Sequence, residues 1–403
     1  MKWEKVKLGE LYEVHNGLSK AGKFFGEGYP FLTFSTVFNN YFIPKQIADL
    51  VQSTEKEQES YSIRRGDVFV TRTSETSDEL GMSCVALKDY PMATYNGFTK
   101  RMRPITNRVF PEYIGYYMRL PSFRGEFRAF STMTTRASLR NEDLLGLEVE
   151  LPPIEIQKQI AEILSAYDDL IENNQKQIKL LEEAAQRLYK EWFVDLRFPG
   201  HENTKIVDGV PEGWSKSMVS EVSAVLRRGI SPKYNEKARG IVINQKCIRQ
   251  TIVSYDEART QEKKYPAELE MMESDIVICS TGAGTLGRVG QIFEAKGNAT
   301  LDSHVTLIRA NEKIGQQSLF WSLKMKQDYL MNAGKGSTNQ LELSRETIGS
   351  CEILIPERKI AEQVEKNFVA IHNKMKECSM QIARLREVRD LLLPKLMSGE
   401  VEV

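Results

Sequence analysis

The chain has 403 residues, of which 41% are hydrophobic and 27% charged, an ordinary globular composition with room for two or three domains. Its 55 basic and 55 acidic side chains cancel, so net charge alone argues against a nucleic-acid binder, and no apolar run approaches the roughly 18 residues of a membrane span. The five cysteines are scattered without a CxxC pair and Met1–Val6 carries no signal-type apolar region, so neither a disulfide framework nor a structural zinc is expected, and the location expected is cytoplasmic.

In chain order, Trp3, Leu8, Glu10, Leu11 and Val14 come first. Arg65-Gly66-Asp67-Val68-Phe69-Val70 then reads as a polar turn followed by an apolar strand, and Thr71, Arg72, Thr73 and Ser74 as a polar hairpin loop after it. From Lys100 to Arg140 nine basic residues (Lys100, Arg101, Arg103, Arg108, Arg119, Arg124, Arg128, Arg136, Arg140) face two acids, Glu112 and Glu126. Aromatic residues from Phe110 to Phe130 are interleaved with them. Such a stretch is able to neutralise several backbone phosphates. For any single arginine, a solvated helix face over an aromatic core is the simpler account. The small-residue loop with Thr134, Thr135 and Arg136 ends this unit.

After Leu151-Pro152-Pro153 the positions Ile160, Leu164, Tyr167, Ile171, Asn174, Ile178, Leu181, Ala185, Leu188 and Trp192 step by four and three without a break. That is a heptad seam over roughly 50 Å of helix at about 1.5 Å per residue. Each such helix buries one stripe and needs a partner. Asn174 within the seam either fixes register, faces another protein or meets water. The helix is expected to stop at Arg197-Phe198-Pro199-Gly200.

The pattern then begins again. Trp214, Val219, Glu221, Val222 and Val225 match the opening residues; Glu273-Ser274-Asp275-Ile276-Val277-Ile278 matches Arg65–Val70; and His304–Arg309 matches Phe98–Arg103. Ser337-Thr338 matches Ser131-Thr132. Between Arg227 and Arg249 seven basic residues face one acid, Glu236. Gly282-Ala283-Gly284-Thr285-Leu286-Gly287 fits the dinucleotide fingerprint G-x-G-x-x-G, but Arg288–Phe293 alternates like a strand where that fold needs a helix, so the loop reads as a hairpin. After Leu354-Ile355-Pro356 a second seam runs through Val364, Phe368, Ile371, Met375, Cys378, Ile382 and Leu385 to Leu392, with breaks expected near Leu393-Pro394 and Ser398-Gly399. The chain is thus a two-fold repeat of a mixed α/β unit followed by a long helix. The scaffold residues recur and the loops do not, which suits two binding heads with different ligands. No set of residues assembles into a catalytic site, and no metal site is expected.

Four segments resemble the specificity subunits of type I restriction–modification systems. They are Leu151-Pro152-Pro153-Ile154-Glu155-Ile156-Gln157-Lys158-Gln159-Ile160, Glu191-Trp192-Phe193-Val194-Asp195, Pro211-Glu212-Gly213-Trp214, and Leu391-Leu392-Leu393-Pro394-Lys395-Leu396-Met397-Ser398-Gly399-Glu400. The order of parts agrees along the whole chain. Pro356-Glu357-Arg358-Lys359 departs from the longer Pro-Pro linker and shortens the approach to the second helix. The resemblance implies an α+β fold: target recognition domains at 1–152 and 201–355, and spacer helices at 153–200 and 356–403 that pack as an antiparallel coiled coil in a pseudo-two-fold molecule. It implies a non-enzymatic subunit that reads double-stranded DNA and docks two modification subunits, with restriction subunits joining outside them. No cofactor is expected in this chain; S-adenosylmethionine belongs to the modification subunits, which methylate adenine.

On that reading the base-contacting candidates are Thr71, Arg72, Thr73, Ser74, Thr134, Thr135 and Arg136 in the first unit, and Gln245, Lys246, Arg249, Ser280, Thr281, Lys335, Ser337, Asn339 and Gln340 in the second. Arg101, Arg103, Arg124 and Arg128 are phosphate candidates. The helix packing set is Ile160, Leu164, Tyr167, Ile171, Ile178, Leu181, Leu188, Val364, Phe368, Ile371, Met375, Ile382 and Leu385. A heptad inserted into the first helix should lengthen the preferred gap. Two other readings compete. A coiled-coil scaffold would show no salt-dependent DNA binding, and an oxidoreductase built on Gly282, Gly284 and Gly287 would bind a dinucleotide.

Overall fold

The structure is a computed structural model and describes residues 3–74, 79–129, 137–334 and 341–403. Its principal elements in the first half are β1 (Glu4–Lys7), β2 (Tyr12–Asn16), β3 (Phe25–Leu32), β4 (Leu50–Val51), β5 (Val68–Thr71), β6 (Ser83–Val85), β7 (Thr94–Tyr95), β8 (Thr99–Pro104), α1 (Pro111–Tyr117), α2 (Pro121–Ala129), β9 (Glu148–Leu151) and α3 (Ile154–Tyr189). The second half contains β10 (Ser215–Met218), β11 (Ser223–Arg228), β12 (Gly240–Ile243), β13 (Arg259–Gln261), β14 (Ile276–Cys279), β15 (Val289–Gln291), β16 (Ala299–Leu301), β17 (Val305–Ala310), α4 (Gln316–Met325), β18 (Glu352–Ile355) and α5 (Arg358–Met397). Packing divides the chain into two compact units, one of Met1–Glu172 with Ala383–Val403 and one of Asn173–Ile382.

The two units repeat each other strand by strand. The four-stranded sheet β2-β8-β5-β6 has its counterpart in β11-β17-β14-β15, the three-stranded sheet β4-β3-β7 in β13-β12-β16, and the pair β1-β9 in β10-β18. The repetition extends to single hydrogen bonds. Leu8 N donates to Leu147 O at 2.8 Å and Val219 N to Cys351 O at 3.0 Å. Arg103 grips Asp67 through Nε and Nη2 at 2.8 and 2.6 Å, and Arg309 grips Asp275 in the same two-pronged way at 2.6 and 2.7 Å. Both carboxylates are buried and also accept a backbone N–H, from Arg64 and from Met272 respectively. A buried carboxylate is stable only when paired and fully hydrogen-bonded, so this bridge is a structural fixture of the fold.

Each long helix is shared between the units. In the first unit Ile160, Ala161 and Leu164 of α3 share a core with Leu393, Leu396 and Met397 of α5, and Arg389 donates to Asp168, which also accepts the Tyr116 hydroxyl at 2.6 Å. In the second unit Ala185 and Tyr189 of α3, with Trp192 just beyond it, share a core with Ile360, Val364 and Phe368, and Cys378 approaches Gln177 at 3.7 Å. In each unit, therefore, opposite ends of the two helices lie side by side, the antiparallel arrangement. Of the seam residues Ile160, Leu164, Ile171, Val364, Phe368, Met375 and Ile382 are buried, while Tyr167, Ile178, Leu181, Leu188, Ile371 and Leu385 are half-buried. Asn174 is buried, so solvent is not its neighbour.

The helix ends differ from expectation in one place. α5 continues through Pro394 to Met397 instead of breaking there, and the left-handed Gly399 (φ 70°) follows. A proline this close to the C-terminus removes a single intrahelical bond, which the buried Leu393, Leu396 and Met397 outweigh. α3 ends through one π turn at Lys190–Val194, ahead of Arg197-Phe198-Pro199-Gly200 as expected. No helix among the described residues is long and apolar enough to cross a membrane.

Candidate nucleic-acid interface

The two four-stranded sheets end in the same construction. β2 leaves its sheet through Leu18, which bridges Asn96, and β11 leaves through Ile230, which bridges Asp302. Gly17 and Gly229 make this possible, because a Cβ at either one would lie 2.1 Å from a carbonyl oxygen, of Asn96 and Leu301 respectively. The facing turn is closed by a side chain in both units. Phe98 N donates to Asn96 Oδ1 at 2.7 Å and His304 N to Asp302 Oδ1 at 2.9 Å. The residue after the central strand locks onto that turn: Arg72 N donates to Phe98 O at 3.0 Å and Ser280 N to His304 O at 2.8 Å. Burial pushes the Asp302 carboxyl above its usual range.

Several expected contact residues lie at these ends. Arg72 is half-buried; its Nη1 lies 3.4 Å from Asn16 Oδ1, and its Nε is buried and finds no acceptor among the described residues. Thr73 is half-buried on a short ribbon, Thr73–Ser74 paired with Ala137–Ser138; the Ser74 side chain lies outside the described residues. Lys246 and Arg249 are exposed and Gln245 is half-buried, with Arg249 3.5 Å from Glu257. Thr281 Oγ1 meets His304 Nδ1 at 2.6 Å. Thr134, Thr135, Arg136, Lys335, Ser337, Asn339 and Gln340 lie outside the described residues, as does the side chain of Arg128.

Other candidates point inward. Thr71 is fully buried, donating to Glu79 O at 2.6 Å and accepting from Met82 N at 2.9 Å. The Ser280 hydroxyl is buried against Thr306 at 2.6 Å. Arg103 is held by Asp67, which pushes its guanidinium further toward the charged form. Arg101 is buried with Nη1 on Ser62 O at 2.8 Å, and burial lowers its proton affinity. Arg124 donates to Leu80 O. Among the described residues, therefore, Lys100, Arg101, Arg103, Arg119 and Arg124 do not form a solvated cationic face, whereas Arg108 and Arg140 are exposed. Arg119 alone supplies four backbone carbonyls, of Ser83, Phe38, Val37 and Asn40, and Arg108 pairs with Glu4. Arginine is chosen there because a rigid fork satisfies many carbonyls that a point charge would leave bare. A sequence signal for this existed: Asp67 with Arg103 and Asp275 with Arg309 recur on matching anchors, the mark of a scaffold pair.

In the second unit the dinucleotide-like glycines join β14 to β15 in an antiparallel hairpin, so no helix opens onto a phosphate. Lys237, Arg239 and Lys246 are exposed, while Arg227, Arg228 and Lys233 are each paired with a glutamate.

Residues 1–183 match the family described as the type I restriction modification DNA specificity domain. The whole chain is similar to the type I restriction enzyme MjaIX specificity subunit of Methanocaldococcus jannaschii, at 26% identity over 100% of this chain and 94% of that one. It is similar to the HindI specificity subunit of Haemophilus influenzae at 25% identity over 99% of each. Its fold is that of the type I restriction–modification S subunit from M. genitalium, with a TM-score of 0.58 and 16% identity, covering 98% of this chain and 96% of that one.

Proposed function

From the premise that this chain belongs to the type I restriction–modification specificity subunits, we propose that each of its two units reads one half of a split DNA target. The chain is the sequence-reading, non-catalytic member of its complex. The observation that carries the split is the repeat itself: two units with one hydrogen-bonded framework and different residues at its ends. A single framework delivers its loops to DNA in one way, and different loops read different bases.

On this reading residues 1–152 and 201–355 are the recognition domains, and 153–200 and 356–403 set the gap between half-sites. Two modification subunits dock on the helices, bring S-adenosylmethionine and methylate adenine at N6, with restriction subunits outside them, all in the cytoplasm. Arg72 and Thr73 in the first unit, and Gln245, Lys246, Arg249 and Thr281 in the second, are the described candidates for base and phosphate contact. Arg72 is favoured by its buried Nε, which has no acceptor among the described residues, since a buried unpaired donor costs roughly 1–3 kcal/mol until a partner arrives. Mapping adenine methylation across the genome with and without this gene tests the proposal. One bipartite motif with a fixed unread gap should vanish on deletion; an unchanged methylation map overturns it.

A further inference from the structure

The turns that close the two sheets share most of their backbone contacts and differ in what they display. In the first unit the displayed side chain is Phe98, with 57% of its surface exposed. In the second it is His304, also exposed. Single exposed apolar residues are common and by themselves mean little. Phe98 differs from them in its support. Its N–H is held by Asn96, its carbonyl by Arg72, and the next residue is tied back twice to Asn96, through Thr99 N at 3.0 Å and Thr99 Oγ1 at 2.7 Å. The phenyl ring is thus carried on a rigid turn tied to the backbone of Arg72, whose Nη1 lies 3.4 Å from Asn16 Oδ1 and whose buried Nε has no acceptor among the described residues. His304 stands in the same frame, with Nδ1 engaged by Thr281 and Nε2 without a partner among the described residues.

We propose that this position determines specificity in both units: Phe98 makes apolar contact with the methyl group of one thymine in the first half-site, and His304 Nε2 hydrogen-bonds one base edge in the second. The thymine methyl is the apolar group on a base edge in the major groove, so it is the feature a rigid phenyl recognises. A ring nitrogen at the equivalent place selects a polar edge instead. The proposal rests on the DNA-reading function above and adds Phe98 and His304 to its contact residues.

The test uses the complete complex with its modification subunits and duplexes carrying the mapped motif. Each thymine of the first half-site, on either strand, is replaced singly by deoxyuridine, which removes only the methyl. One replacement should weaken binding about four-fold, the worth of one buried methyl. Phe98→Ala should abolish that penalty and leave the second half-site unchanged, and Phe98→Leu should retain part of it. Because Phe98 is exposed, the melting temperature of both variants should match the parent, which separates a contact from a folding defect. A first half-site without a thymine, no sensitive position, or a penalty that survives Phe98→Ala overturns the role of Phe98. For His304→Ala, methylation should become tolerant at one position of the second half-site, and an unchanged motif overturns its role. A complex with no preference for any split motif overturns the underlying function as well.

Discussion

Arg103 and Lys246 show how alike two cations look in a sequence and how differently they act. Arg103 holds the buried Asp67, and removing it strands a carboxylate with no water around it. Arg103→Ala should destabilise the protein by about 3 kcal/mol, read as a lowered melting temperature. Lys246→Ala should leave the melting temperature unchanged and, if Lys246 meets a phosphate, reduce the slope of log affinity against log salt by about 0.9. His372 provides a pH test. It is buried among Gln291, Ser274 and Phe293, with Glu273 and Lys376 nearby, and burial lowers its pKa from 6.5 to about 4. A depressed histidine takes its proton in the unfolded chain first, so stability is full above about pH 6.5 and falls as the pH drops toward 4. The loss amounts to roughly 3 kcal/mol, and His372→Gln should flatten the denaturation midpoint across that window.

At the scale of elements, the turn before the central strand is repeated with different chemistry. Gly66 sits at φ 90° and Ser274 at φ 68° in matching places. Gly66→Ala would force a Cβ into the left-handed region and to within 3.1 Å of Pro104, so it should cost about 1–2 kcal/mol in denaturant titration. The long helices were the most legible part of the sequence, because a seam stepping by four and three is a one-dimensional signal. The sheet was legible only as isolated apolar runs, since pairing such as Glu4 with Leu151 joins residues far apart in the chain. The direction of charged side chains was legible only where an acid and an arginine recur on matching anchors, as Asp67 with Arg103 and Asp275 with Arg309 do. Lys100, Arg101 and Arg103 lie on β8, a central strand covered on both faces, where alternation no longer separates inside from outside. The candidate site was legible as a location, the strand ends and loops, but not as residues: Phe98 and His304 stood among matching anchors and showed no charge to single them out.

For the molecule as a whole, the antiparallel helices are the feature that gives the repeat a function. If they set the gap, adding seven residues to both α3 and α5 should lengthen the preferred spacing by about 10 Å, or about three base pairs. Selection of binding sites from randomised-gap duplexes measures this, and an unchanged gap removes the spacer role from the helices while leaving half-site reading intact. The chain also imposes an order on its own assembly. The second unit is one contiguous stretch, Asn173–Ile382, whereas the first needs Leu393, Leu396 and Met397 to complete its core. The second unit therefore depends on nothing beyond Ile382, whereas the first stays unsealed without residues 383–403. A released chain truncated after Ile382 should resist protease in its second unit and not in its first.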